Sequence, residues 1–198
     1  MSDFFPDPAP PIENSDDDEK QPVWLNPPED ELPGIVPVEL IIGRSDKAAV
    51  MLTGMRAFTT GLAMTVHVRT RKRLKGHDLI DEVFDGPYRH DQDDEWRRSR
   101  LKWGFEFADG RRATSIDAWP DLAKPEATPD HPVLMGRGGE GGDRTVDRDY
   151  WLWSLPPEGA IKVVCQWPQL GIGPTTSHLD GDQFVEAAIR AQSIWTPE

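Results

Sequence analysis

"RSRLKWGFEFADGRRATSI", residues 98–116, alternates apolar and polar side chains with a period of two. Leu101, Trp103, Phe105 and Phe107 fall on one side, and Arg100, Lys102, Gly104 and Glu106 on the other. Successive side chains of a strand point to opposite faces, so this run buries one face and wets the other. Asp109-Gly110 follows where the chain must reverse, and that pair supplies the positive φ angles of a tight hairpin turn. The stretch predicts a β-hairpin lying on an apolar layer.

The same period recurs on both sides of it. "VPVELIIGRS" sets Val36, Val38, Leu40 and Ile42 on one face. "AAVMLTGMRAFTTGLAMTVHVRTRKR" predicts strands over 48–56 and 62–72, with Met64, Val66 and Val68 opposite Thr65, His67, Arg69 and Arg71. "PVLMG", "DYWLWSL", "AIKVVCQW" and "TTSHL" add further strands, and "DLIDEVF" has room for a helical turn or two. Only "LDGDQFVEAAIRAQSIW" has helical spacing, in Phe184, Ala188, Ala191 and Trp195, with Asp180 as N-cap and Gln183 three residues on. Eight or nine short strands with one helix over 180–195 predict an all-β domain over 35–198. The expected architecture is an antiparallel β-sandwich, immunoglobulin-like or jelly-roll-like.

Residues 1–34 differ in kind. Residues 1–33 hold eight of the nineteen prolines, and ten acids against Lys20 alone, a net of −9 out of −13. Proline removes donors and like charges repel, so 1–34 is expected to be a disordered acidic tail. Its exception is "VWLNPP", where Trp24 and Leu25 form an apolar island that docks on this domain or on a partner. The remaining body is close to neutral, which disfavours nucleic-acid binding, since phosphates require a basic face. A single cysteine, no basic-then-apolar leader and no long apolar run predict a cytoplasmic location without membrane insertion.

The candidate chemistry is thin. In "GRGGEGGDRT" the glycines end in Asp143-Arg144-Thr145, where a phosphate loop needs lysine. "DRDYWLW" then alternates instead of opening the helix that a dinucleotide fingerprint needs. The run is expected to be a long flexible connection with Arg137, Glu140, Asp143 and Arg144 in water. Cys165 shares a face with Ile161, Val163 and Trp167, which is a core address. "HDQDDE" offers His90, Asp91, Asp93 and Asp94, with His131 elsewhere, as ligands for a divalent cation. Trp96 stands where a calcium loop needs glycine, so a solvated acidic loop is the stronger reading. No cofactor is expected.

Two surface features remain. In "RTRKRLK", Arg69, Arg71 and Arg73 share a face, either guarding an edge strand from aggregation or meeting the tail's "SDDDE". Eight tryptophans suggest stacking platforms, with Trp103 and Trp167 directed inward. Tyr150, Trp151 and Trp153, with Trp24, are expected to make an exposed interaction patch; the loop at 168–174 is the other possible anchor.

"YWLWSLPPEG", "CQWPQLGI" and "EAAIRAQSIW" resemble segments of small strand-rich proteins from high-GC bacteria, a group with no established activity. The resemblance covers about 36–195, implies a self-standing β domain, and carries no catalytic residue across. The expectation is a non-enzymatic protein-interaction or accessory module of a cytoplasmic assembly with a still unknown protein partner. The alternatives are a metal-dependent hydrolase on the sandwich loops or a carbohydrate-binding module.

Overall fold

The computed structural model describes residues 21–76, 78–84, 98–117, 120 and 127–196. Strands β2 (Gly34–Arg44), β3 (Ala48–Ala57), β4 (Gly61–Thr70), β8 (Thr145–Trp153) and β7 (Val133–Gly141) form one antiparallel sheet in that spatial order. Strands β10 (Ile172–Asp180), β9 (Ala160–Trp167), β5 (Lys102–Glu106) and β6 (Arg112–Thr114) form a second. A two-residue ribbon pairs β1 (Glu31–Leu32) with β11 (Gln192–Ser193). Helix α1 (Leu79–Phe84), helix α2 (Asp182–Ile189) and a 3-10 turn (Pro168–Leu170) complete the described elements. The fold is all-β and sandwich-like.

The period-two faces close on each other. Trp103, Phe105, Ile161, Val163, Cys165 and Trp167 of the smaller sheet share one buried cluster with Val50, Leu52, Met64, Val66, Val68, Val146 and Leu152 of the larger. The Trp103 ring meets Tyr150 edge-on at 4.8 Å and Phe105 at 5.6 Å. Each large apolar side chain removed from water contributes about 1.5–3 kcal/mol, and the matched faces supply this along every inner strand. At one rim the Thr175 hydroxyl lies 2.5 Å from the Ile42 carbonyl and 3.0 Å from that of Cys165, one on each sheet.

The 98–116 hairpin is present, but its turn differs from the expected one. Only Gly110 has positive φ, at 83°. Its N–H donates to Phe107 (2.9 Å) while the Phe107 N–H donates to Arg111 (2.9 Å), which is a three-residue loop closed by a left-handed glycine. Asp109 contributes by its carboxylate, which accepts the Arg111 N–H at 3.0 Å.

The glycine run is not a flexible connection. Residues 136–141 continue β7 and pair with β8, and the reversal is confined to 142–144, where the Gly142 N–H donates to Thr145 at 2.7 Å. Gly136, Gly139 and Gly141 are required because α1 and a buried arginine lie across that half of the strand, whereas a Cβ at Gly138 or Gly142 meets nothing within 4 Å. A Cβ at Gly136 would sit 2.1 Å from Arg148 Nη2, and one at Gly139 would meet the Asp147 carbonyl at 2.2 Å and the Phe84 ring at 3.0 Å.

The C-terminal helix is shorter than the expected 180–195. Gly181, not Asp180, caps it, and the helix ends at Ile189 because Gln192 and Ser193 turn away to pair with β1. Asp180 still accepts the Asp182 N–H, at 3.1 Å. The 1–34 boundary also moves. Within residues 21–34 Trp24 is buried and residues 25–28 are half-buried against the body, while 1–20 lie outside the described residues.

Candidate functional site

The outer face of the five-stranded sheet carries two different surfaces. At one end a small apolar cluster gathers Trp24, Phe58, Ala63, Val133, Met135 and Trp151. Trp151 sits between its cross-strand neighbours Ala63 and Met135. Its indole N–H donates to the Trp24 carbonyl at 3.0 Å, and its ring meets Phe58 edge-on at 5.8 Å. Arg137 is exposed, as expected, and from the surface it donates to the Leu25 carbonyl (3.3 Å) and to Asn26, fastening the segment down.

This overturns the expected aromatic patch. Tyr150 faces the inter-sheet core, Trp151 and Trp24 cover each other, and only Trp153 is half-exposed. The area of Tyr150, Trp151 and Trp24 is buried within the fold. The apolar island in the tail is the missing lid, which explains why β8 carries large apolar groups on both faces.

At the other end the face is polar. His67 Nε2 lies 2.7 Å from the Thr53 hydroxyl, and its Nδ1 lies 2.9 Å from Asp147. Arg69 reaches both Asp147 oxygens, at 2.5 and 3.1 Å. Hydroxyl, imidazole and carboxylate in line have the form of a nucleophile relay. Here the guanidinium occupies both carboxylate oxygens, and the three groups stand on an open sheet face. The network ties β3, β4 and β8 together.

Arg69 first, then His67, holds the Asp147 carboxyl below the ordinary carboxylate range. A depressed carboxyl contributes stability that is present above its unfolded value, near 4, and is lost as pH falls through the folded value. The pair is about one-third exposed, so the effect is screened to roughly 1 kcal/mol or less. Asp147→Asn is therefore expected to flatten the fall in urea midpoint below about pH 4. Parallel slopes for both chains would count against the pairing.

Arg148, not singled out in the sequence, is buried on the inner face of β8. Its Nη1 donates to the Val83 carbonyl at 2.5 Å, and its guanidinium lies 4.8 Å from the Phe84 ring centroid and 5.2 Å from that of Tyr150. Beside it, buried Glu82 accepts the Leu101 N–H at 2.8 Å. Both groups act from within the fold. Cys165 behaves as expected of a core residue, with burial pushing its thiol up to about 12, far from a nucleophilic thiolate.

The basic stretch divides. Arg69 is bound on the sheet face, and β4 ends at Thr70, so Arg71 and Arg73 leave the strand. Nor is β4 an edge: it lies between β3 and β8, which removes the anti-aggregation reading. Arg71, Lys72, Arg73 and Lys75 instead line a cavity of about 440 Å³ with Asp46, Lys47, Gln169 and Leu170. The Ser45 hydroxyl donates to the Leu170 carbonyl at 2.7 Å, joining the β2–β3 turn to the 3-10 turn. The Arg71 N–H donates to Lys47 at 2.8 Å, which sets the opposite wall. Five cations and one carboxylate thus converge where three loops meet, including the 168–174 loop.

A second exposed feature lies at the other end of β2. Segments 30–35 and 187–195 run side by side: the Ile194 N–H donates to Asp30 at 2.9 Å and Arg190 donates to the Ile35 carbonyl at 3.2 Å. Around this corner Leu32, Ile35, Ile189, Ile194 and Trp195 keep between 49% and 77% of their surface in water.

Of the metal candidates, His90, Asp91, Asp93 and Asp94 lie outside the described residues. His131 pairs with Asp130 at 2.8 Å on an exposed loop, and no group of three ligating side chains forms among the described residues. No described helix is long and apolar enough to cross a membrane. No family model, no curated protein and no solved structure matches the chain. What defines the molecule is its own surface: a basic groove and an apolar corner on a closed β-sandwich.

Proposed function

We propose that this protein is a non-enzymatic protein-interaction module that docks through the apolar corner formed by β1, β11 and the end of α2, and that its work is done in the cytoplasm. One observation carries the reading. Of the ten large apolar side chains exposed among the described residues, five (Leu32, Ile35, Ile189, Ile194 and Trp195) gather at this one corner, while Val23, Ile41, Ile80, Ile116 and Val164 are scattered over the rest of the surface. Contiguous exposed apolar surface of this kind favours a protein partner, and a tryptophan such as Trp195 is the usual anchor.

The corner is also separable from the fold. Ile189 and Trp195 contribute little to the core, so Ile189→Ser with Trp195→Ser is expected to change stability by no more than about 0.5 kcal/mol. Cross-linking in cells that make the full chain, followed by quantitative mass spectrometry, is expected to recover specific partners with the native chain and to lose them with the double variant. Equal recovery from both chains would sink the proposal.

A further inference from the structure

We infer that the acidic block Asp16-Asp17-Asp18-Glu19 of this chain docks in the basic groove formed by Lys47, Arg71, Lys72, Arg73 and Lys75. The docked block closes the groove to other anions until salt or a stronger acidic partner displaces it. This goes beyond the corner reading, since the groove and the corner lie at opposite ends of β2.

Charge supplies the first argument. The groove gathers five cations against Asp46, in a chain whose net charge is −13. Residues 16–19 are four consecutive carboxylates, the densest acidic run in the sequence. Among the described residues Arg73 makes two long exposed contacts, 3.4 Å to Asp78 and 3.2 Å to Asp143. Such contacts are worth little individually and leave its guanidinium available to a closer carboxylate.

Reach supplies the second. Trp24 is pinned over Ala63 and Trp151, near the start of β4, and the groove opens where β4 ends at Thr70. Seven strand residues separate Ala63 from Thr70, which at about 3.3 Å each is roughly 23 Å. Pro22 to Leu25 form a turn, with the Leu25 N–H donating to Pro22 at 3.0 Å, so the free run counts from Pro22: six residues to Asp16 span at most about 22 Å, and the lysine and arginine side chains of the groove close the remainder. The anchor and the charges are therefore spaced in the sequence as the lid and the groove are spaced on the sheet. The surface between them carries Thr65, His67 and Arg69, half-buried polar side chains beside which a polar segment keeps its hydration. Tethering gives the block an effective concentration in the millimolar range, which a free anion must exceed.

Zero-length carbodiimide cross-linking of the full chain tests this. The expected products join carboxylates of 16–19 to Lys47, Lys72 or Lys75 within one molecule. Their yield is expected to fall in about 1 M salt, where screening shortens the electrostatic range to about 3 Å. A second measurement uses Asp16→Asn with Asp17→Asn and Asp18→Asn, which leaves the folded body unaltered. Acetylation of Lys47, Lys72 and Lys75 is expected to speed up roughly three-fold or more, the scale of a few exposed pairs, while Lys162 on the other sheet keeps its rate. Cross-links that form elsewhere or only between molecules would overturn the inference, as would equal acetylation rates in the two chains.

Discussion

Replacing Gly34 by valine is expected to cost about 3 kcal/mol or more and to lift helix α2 from the sheet. Gly34 opens β2 directly beneath the helix, and a Cβ added there would stand 1.9 Å from the Ala187 carbonyl oxygen and 2.6 Å from its carbon. Both obstacles are backbone, so no rotamer change relieves them. Either β2 shifts, breaking its pairing with Ala57, or α2 rises and exposes Phe184, Ala187 and Ala188 to water. The second route also separates β11 from β1 and dismantles the apolar corner. Urea unfolding gives the stability loss, and trypsin cleavage after Arg190 gives the undocking. Gly173→Ala is the control, because a Cβ there meets nothing within 4 Å, and it is expected to stay within about 0.5 kcal/mol of the native chain. If Gly34→Val unfolds at the native urea concentration, helix and strand do not approach as described.

The sheets were readable because alternation is local. Leu101, Trp103, Phe105 and Phe107 carry their own inward address, and so do Met64, Val66 and Val68; each is buried as the period requires. What covers the outer face was not readable, since that depends on a partner distant in sequence. Trp151 looked available only because its lid, Trp24, sits 127 residues away in a segment whose composition resembles a tail. The glycine run misled for a related reason. Its composition suits a loop, yet its small residues serve a close approach by α1 and Arg148. One signal of it lies in the sequence: Arg148 shares parity with Val146, Tyr150 and Leu152, which puts a cation at a core position of β8. The groove was half visible. Arg71 to Lys75 are adjacent in the chain, but Lys47 and Leu170 join them only when three loops meet at one end of the sandwich.

Trp151→Ala is expected to lose about 3–5 kcal/mol, the usual cost of emptying a buried tryptophan site. The loss has separable parts. The indole fills the space beside Gly61, where a Cβ would come within 2.7 Å of the ring, so the backbone of β4 cannot collapse far into the vacancy. The edge-on contact with Phe58 disappears, and the Trp24 carbonyl loses its donor in a buried setting. The Arg137 bonds to Leu25 and Asn26 remain on that stretch of the N-terminal segment. Trp151→Phe keeps most of the apolar area but not the N–H, so it should fall between the native chain and the alanine variant. Trp24→Ala removes the lid while leaving β8 intact; it is expected to free residues 21–28 to proteolysis with a smaller loss of global stability. It also cuts the tether that brings the acidic block to the groove, so cross-links from 16–19 to Lys47, Lys72 and Lys75 should decline along with the anchor. Hydrogen exchange at Leu25, whose N–H donates to Pro22 at 3.0 Å, separates the two effects. Rapid exchange there in Trp24→Ala, with β4 and β8 amides still protected, is the expected pattern. Unchanged protection at Leu25 would show that the segment is held by something other than its tryptophan.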